Sequence, residues 1–501
     1  MSSKDKFYTD IPALELIFLL KNFYKMKKNG FLVFFVICIM AACQSNAANT
    51  PPKEETIAPK DSIKRLQLTF VGDIMGHEPM IKAAYNANTK EYEYDEYFKF
   101  VKPVLEQADY AVGNLELTLS ERPPYTGYPM FRSPDALAPA LKGAGFDMLT
   151  TCNNHSSDNG AYGITHTLDM LEAQGFEHTG TFRDANEKAA NYPFVTEKNG
   201  IKMVYLNYTY DTNGMPVVPP TIVNLIDETQ MKADIERAKT LQPDMIIVIM
   251  HWGIEYQLQP RAEQIQLADK LFLWGADMII GGHPHVIEPI ETRTLPNGKK
   301  GYIVYSLGNF ISNQKQPNTN GGLMVNIELV KNTNTGKTTI GEHSYIPVYR
   351  WIKTSGGRTT YYAVPISAAE QNPAAIGMDA TNAAQMKTFA EKMRAHLNKN
   401  GMTTEKMLPL SLLPTTNEAV VQLPIATKTA TPAVPLGDYK IQWFASTTKQ
   451  ANLKRPANNP YSILKEGKLY KYYLHANSAE EAEVLLKKVR KNGYPKAFIV
   501  Q

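Results

Sequence analysis

Cysteine is scarce. Three in 501 residues, with Cys38 and Cys43 both in one N-terminal apolar segment, leave no disulfide framework. Cys152 stands alone and reads as a small buried hydrophobe. Charge of one sign is also missing: 53 basic against 49 acidic residues leave +4, which gives no ground for a nucleic-acid partner. The N-terminal apolar run, Phe31 to Met40, is too short for an ordinary spanning helix. No internal repeat occurs, and the only biased stretches are two tethers. The length exceeds what one hydrophobic core organises, so two folded domains joined by tethers are expected.

The charge is unevenly placed. Residues 437–501 hold 12 Lys/Arg and 5 Asp/Glu, a balance of +7, while the remainder is at −3. A basic terminal module suits either a polyanionic surface or plain solvation. At the other end, Met26-Lys27-Lys28-Asn29 precedes the apolar run, and Ala41-Ala42-Cys43 follows it. This order resembles a bacterial lipoprotein signal over 26–43, with Met40 where such signals usually carry Leu. The resemblance implies lipidation of Cys43, acyl chains buried in a membrane, and a cell-envelope, extracytoplasmic location. An uncleaved anchor is the competing reading. Residues 1–25 read as an upstream extension, and 44–65, rich in Asn, Ala, Thr and Pro, as a tether.

What the chain does have is six short apolar runs that each end in a polar cluster. Residues 66–71 run into Gly72-Asp73, 109–112 into Gly113-Asn114-Leu115-Glu116, and 146–151 into Asn153-Asn154-His155. Residues 245–250 run into His251-Trp252-Gly253, 277–280 into Gly281-Gly282-His283-Pro284-His285, and 302–306 into Leu307-Gly308-Asn309. Parallel strands in α/β sheets place their chemistry at their carboxyl ends. Six such strands would gather Asp73, Glu116, Asn154, His155, His251, His283 and His285 in one crevice. Oxygen and imidazole donors of this kind suit Zn, Mn or Fe.

Between the runs lie helical patterns. Residues 134–144 place Leu137 and Leu141 four apart, and 161–174 carry Ile164, Leu168 and Leu171. Residues 262–274 carry Ile265, Ala268, Leu271 and Phe272, with Gly275 as a stop. Strand–helix alternation predicts a layered α/β fold. Residues 323–330 and 338–348 read as antiparallel strands, and 382–399 as an amphipathic helix with Met386, Phe389, Ala390, Met393 and Leu397 on one stripe. The resulting layout is a main domain over 66–365, a helical extension over 366–414, a linker over 415–436 and a small domain over 437–501.

His283 and His285, two apart at a strand end, are the strongest ligand pair. Asn154 offers a carbonyl oxygen to a metal, and His155 beside it a proton to a substrate. Asp73 reads as a metal carboxylate, with a helix N-cap as the plainer alternative. Glu116 is placed to bridge two cations, whose charge would offset the repulsion a carboxylate cluster otherwise suffers.

Taken together, Gly72-Asp73, Asn114-Leu115-Glu116, Asn153-Asn154-His155-(x)2-Asp158-(x)-Gly160, His251-Trp252-Gly253-(x)-Glu255, Gly282-His283-Pro284-His285 and Ser306-Leu307-Gly308-Asn309-Phe310 resemble the bacterial capsule-synthesis family (CapA-like, linked to poly-γ-glutamate). That family is similar in fold to the calcineurin-like metallophosphoesterases, a core of mixed sheets flanked by helices. The resemblance implies two divalent ions, Mn, Zn or Fe. It implies Asp73 and His285 as ligands of the first, Asn154, His251 and His283 of the second, Glu116 between them, and His155 as the acid for the leaving group. Position 75 departs from it: the phosphoesterase Asp-x-His pattern needs histidine there, and this chain has Met75, with His77 out of register. Arg132 reads equally as a bidentate clamp for an anionic substrate group or as a plain surface arginine, and Glu255 and Asn309 as residues that orient ligands or substrate.

Residues 437–501 resemble a SPOR domain, a small α+β module that binds peptidoglycan, with strands at 439–444, 469–474 and 497–500 and a helix over 478–492. The sequence thus predicts an envelope lipoprotein of capsule or surface-polymer biosynthesis. Its core is a metal-dependent hydrolase, and its partners are an anionic polymer or precursor, peptidoglycan and the membrane. The alternative is a non-catalytic polymer-binding scaffold.

Overall fold

The strand Ile63–Ile74 starts exposed and is buried from Leu68 onward, so one element carries the chain from the surface to the floor of the molecule. The computed structural model describes residues 62–399 and 404–415, and the C-terminal backbone elements given below. The expected extension, the signal with Cys43, and the tether as far as residue 61 lie outside the described residues, as does the linker expected over 415–436 from residue 416 on. Among the described residues no helix is long and apolar enough to cross a membrane.

The six apolar runs are strands, but they divide between two sheets. In the first, Ile63–Ile74 pairs in parallel with Tyr110–Leu115, then Met148–Thr150, then Glu177–Thr179. On its other side it pairs antiparallel with Gly321–Asn332, which pairs with Lys337–Ser355 and that with Arg358–Pro365. The antiparallel pair expected at 323–330 and 338–348 is therefore present and longer. In the second sheet Ile201–Thr209, Met245–His251, Met278–Gly282 and Lys300–Val304 run parallel, with antiparallel strands Phe194–Lys198 and Ile290–Thr294 at the edges. The strand Ile201–Thr209 was not anticipated.

Side-chain alternation fixes the layering. Met203, Tyr205, Ile247, Ile249, Met278, Ile280, Tyr302 and Val304 join one core with Leu68, Phe70, Tyr110 and Val112 of the first sheet. The alternate residues Val204, Leu206, Val248, Met250, Ile279 and Ile303 pack with Met231 and Ile235 of helix Glu228–Thr240 and Leu271 and Phe272 of helix Ala262–Trp274. Helix Leu137–Ala144 contributes Leu137, Ala138 and Leu141 to the first core. The result is a layered α/β fold of two mixed sheets with helices, as expected.

Two helical details differ from expectation. The helix predicted from residue 134 begins at Leu137, because Arg132–Pro134 pairs as a short strand with Thr118–Ser120. In helix Ala262–Trp274 Ile265 is exposed and Gln264 and Leu267 are buried instead. That helix stops at Gly275, whose φ of 124° suits only glycine. Helix Ala380–Asn398 buries Met386, Phe389, Ala390, Met393 and Leu397, the predicted stripe.

At the C-terminus Tyr461–Glu466, Leu469–Ala476, Tyr439–Ser446 and Phe498–Val500 form an antiparallel sheet in that order. Helix Ala479–Lys491 buries Ala482, Leu485, Leu486 and Val489. Strand Tyr461–Glu466 lies where the sequence reading found no element.

Candidate metal centre

Register sets the site. In the first sheet Asp73 pairs with Asn114 and Asn114 with Thr150; in the second Thr209 pairs with His251 and His251 with Gly282. Each sheet thus ends its polar residues at one level, and the two levels meet. Glycine permits the meeting: a Cβ on Gly282 would stand 2.8 Å from Asp73 Oδ1. The backbone N–H of His283 points at Asp73 Oδ2 across 3.3 Å.

Asp73, Glu116, Asn154, His251, His283 and His285 are all brought together and all buried. One trio of donor atoms from Asp73, Glu116 and His251, and another from Glu116, His283 and His285, each lie within 4.8 Å of one another. Glu116 belongs to both. His251 Nε2 is 2.8 Å from Asn154 Oδ1 and 3.5 Å from Glu116 Oε1. His285 stands 3.2 Å through Nδ1 from Asp73 Oδ2 and 3.8 Å through Nε2 from Glu116 Oε1. Donors bound at about 2.1 Å around one ion sit about 3 Å from each other, which is the scale of these separations.

Both carboxylate oxygens of Glu116 are buried and accept no hydrogen bond among the described residues, and His283 Nδ1 is likewise unpartnered. A buried carboxylate without donors is costly unless a cation faces it. The donor set therefore fits divalent metal. The backbone is strained at the same place: His283 and His285 have φ of 99° and 58°, a region that costs a non-glycine residue about 1–3 kcal/mol.

Electrostatics separate the members. Burial opposes charge on Asp73, but His285 beside it, the charge of His251 and the Asn114 amide at 2.8 Å hold its carboxyl below the usual range. Burial also opposes charge on His285, yet Glu116 and Asp73 raise it to about 9. His283, buried and facing His251 and His285, is pushed well below its ordinary value. His77 is lowered to about 3 by burial and by His285, His155, Arg350 and Lys315.

His155 is held from behind. Its Nδ1 lies 2.7 Å from Asp158 Oδ2, which also accepts the Phe131 N–H at 2.6 Å, and the Phe131 ring packs edge-on against the imidazole. With Nδ1–H given to Asp158, Nε2 is the atom free for a ligand.

Glu255 lies at the edge, half-exposed and 4.0 Å from His285 Nε2. Asn309 pairs through its backbone with Asp73, and its amide bonds Gln314 and Thr319. Arg132 is not joined to the cluster by any hydrogen bond or ion pair among the described residues; its guanidinium engages Ser120 and the Arg122 carbonyl. Met75 packs in the apolar core. Cys152 is buried, donates to the Asn224 carbonyl, and has its thiol pushed up by burial.

Sequence reading missed the residues that hold these groups. Asn114 bonds Asp73, Asp158 bonds His155, Asn213 takes the Asn154 amide at 3.3 Å, and the Tyr210 ring lies 4.5 Å from that of His283. Asn114 and Asp158 stand inside the motifs already picked out. Tyr210 and Asn213 follow the strand that went unrecognised.

The fold and this centre define a layered α/β protein with a buried carboxylate–imidazole cluster at the meeting of two sheets. The chain belongs to the bacterial capsule synthesis protein family (PGA_cap), whose model matches residues 67–314. It is 30% identical over 346 residues to the PGA biosynthesis protein CapA of Bacillus subtilis, covering 64% of this chain and 83% of that one. It is 29% identical over 330 residues to the capsule biosynthesis protein CapA of Bacillus anthracis, covering 63% and 76%. Among solved structures, a calcineurin-like phosphoesterase from Bacillus subtilis shares 14% identity at a TM-score of 0.32, over 67% of this chain and 99% of that one.

Proposed function

We propose that this protein acts in the biosynthesis of a poly-glutamate-type capsule or related surface polymer, as a metal-dependent hydrolase at the carboxyl ends of its two sheets. One observation carries the reading: Glu116, buried and without a donor on either oxygen, is shared by two trios of ligand-type atoms. Asp73 and His285 would hold one divalent ion, Asn154, His251 and His283 a second, and Glu116 would lie between them. Such ions supply concentrated positive charge that lowers the pKa of water and stabilises the attacked centre. His155, oriented by Asp158, gives a proton to the departing atom. Glu255 and Asn309 orient ligands at the edge, and Arg132 lies outside the hydrogen-bonded cluster, its guanidinium engaged by Ser120 and Arg122. The capsule and PGA biosynthesis proteins that this chain resembles support a polymer or its precursor as the substrate class.

Lipidation at Cys43 and an extracytoplasmic envelope location extend the proposal, supported by the basic–apolar–cysteine order at the N-terminus. Peptidoglycan binding by residues 437–501 is supported by their basic balance and by the sheet with one helix.

Metal content of the full chain, with His283→Ala and His285→Ala as controls, tests the centre; equal content in all three defeats the ligand assignment. Turnover of a phosphodiester and of a γ-glutamyl amide with added Mn or Zn, lost in Asn154→Ala and His155→Ala, tests the chemistry. Met75, buried in the core where the resemblance calls for histidine, favours a second reading: a polymer-binding scaffold without turnover. Inactivity with every metal supports that reading. Retention on insoluble peptidoglycan with and without residues 437–501 tests the terminal domain, and equal retention removes that part.

A further inference from the structure

Arg350 is a buried cation without a counter-ion among the described residues. It sits in strand Lys337–Ser355 within the run Tyr345–Trp351, every member of which is buried, and only 6% of its surface is exposed. No carboxylate pairs with it among the described residues. Among the described residues its Nε and Nη1 have no acceptor, and Nη2 makes only long contacts, 3.3 Å to Asn320 Oδ1 and 3.5 Å to the Gln314 carbonyl. A guanidinium in such a place normally meets a carboxylate or phosphate in two parallel bonds. Leaving it unpaired is among the more costly arrangements in a folded chain.

Its surroundings raise the cost. Lys315, on the loop that touches Arg350 through Gln314, has its ammonium lowered by partial burial and by Arg350 itself. His77 feels both of these cations as well as His285 and His155. The groups facing Arg350 are hydroxyls and amides: Tyr349 beside it in its own strand, and Tyr361, Gln314 and Asn320 from other elements. Two like charges and an imidazole thus converge without an acid.

The place is next to the metal centre. Gln314 reaches Arg350 with its carbonyl and accepts from Asn309 Nδ2 at 2.9 Å with its side chain, and Asn309 pairs with Asp73. Asn313 donates its N–H to His77 Nδ1 at 3.2 Å and accepts from Tyr361 Oη at 2.9 Å. One short loop, 312–320, therefore spans from the cluster to the arginine.

We propose that Arg350 and Lys315 form a receiving site for an oxyanion, a carboxylate or phosphate group of the ligand on which the metal centre acts. The inference rests on the proposed function only for the identity of that ligand. The anion displaces the 3.5 Å contact to Gln314 and satisfies the guanidinium, while Lys315, exposed at the loop surface, closes over it.

The test uses the full chain in EDTA, so that metal ligation plays no part. Thermal unfolding is followed against glutarate and against inorganic phosphate at constant ionic strength. Either anion is expected to raise the midpoint saturably. Arg350→Gln is expected to raise the half-saturating concentration at least tenfold, Lys315→Gln at least threefold, and Lys232→Gln, an exposed lysine on helix Glu228–Thr240, to leave it unchanged. Preference for glutarate assigns a polymer carboxylate, and preference for phosphate a phosphate-bearing precursor; both support the site. No response of the native chain to either anion overturns it. So does a native response in both cation variants, or an equal loss of the response in Lys232→Gln. Should Arg350→Gln fail to fold, Lys315→Gln decides alone, because its side chain is outside the core. Failure of the metal and turnover experiments would remove the hydrolase reading and leave this result standing.

Discussion

His155 Nδ1 and Asp158 Oδ2 lie 2.7 Å apart in a pocket closed by Phe131, and neither side chain has appreciable access to water. The carboxylate fixes the tautomer of the imidazole and leaves one nitrogen for chemistry. Asp158→Asn keeps the size and an acceptor oxygen but lets the amide turn its donors toward Nδ1. If His155 moves a proton, turnover should fall by about 10²-fold or more, with metal content unchanged. Kinetics and metal analysis on one preparation check this; full activity in the variant would remove Asp158 from the mechanism.

Gly282→Ala should damage both stability and metal binding. The new methyl group meets Asp73 Oδ1 at 2.8 Å, and the strand cannot retreat without pulling His283 away. Overpacking of this kind costs about 1–3 kcal/mol. Urea denaturation and metal content are the readouts, and a variant with native values of both would show that the sheets are not in such close contact.

Glu288 is fully buried, accepts among the described residues only from Gln264 Nε2 at 3.0 Å, and is raised by burial to about 8 from an ordinary 4.5. A folded pKa above the unfolded one means that the protonated form favours folding. That contribution is complete below pH 4.5 and is lost as pH rises through 8, with a limiting slope of about 1.4 kcal/mol per pH unit. Glu288→Gln keeps the bond to Gln264 and removes the titration. Its stability should therefore be flatter than that of the native chain between pH 5 and 8, and higher at pH 8. Parallel stability curves for the two proteins would contradict this.

Chelation should destabilise the native chain more than its His283→Ala variant. A metal at about 100 times its Kd adds about 2.7 kcal/mol to a fold that binds it. Unfolding midpoints with Mn or Zn and with EDTA give the comparison, and identical shifts in both proteins would mean that His283 is not a ligand.

The strand ends were legible because each apolar run stopped abruptly at Asp, Glu, Asn or His. The division into two sheets was not. A strand buried on both faces reads as one apolar run, and such a run does not tell which neighbour each face meets. Ile201–Thr209 was missed for a related reason: it ends in Asn207, Tyr208 and Thr209, buried polar residues that look like surface when read singly. Asn207 in fact ties the layers, accepting from the Cys152 N–H at 3.0 Å and donating to the Ile249 carbonyl. Arg132 looked like an anion clamp because of its neighbours in sequence, whereas its guanidinium is used locally by Ser120 and Arg122. Arg350, inside an apolar strand, gave no sign at all, since its isolation depends on which distant loop covers it.

The candidate ligand set is split along the polypeptide. Asp73, Glu116 and Asn154 come from the first sheet, and His251, His283 and His285 from the second. A chain emerging amino end first has made all its oxygen donors before any imidazole among them. A cation held by this set would be captured only after residue 285 is out and both halves have docked, which would make loading a late checkpoint that registers whether the two sheets have found each other.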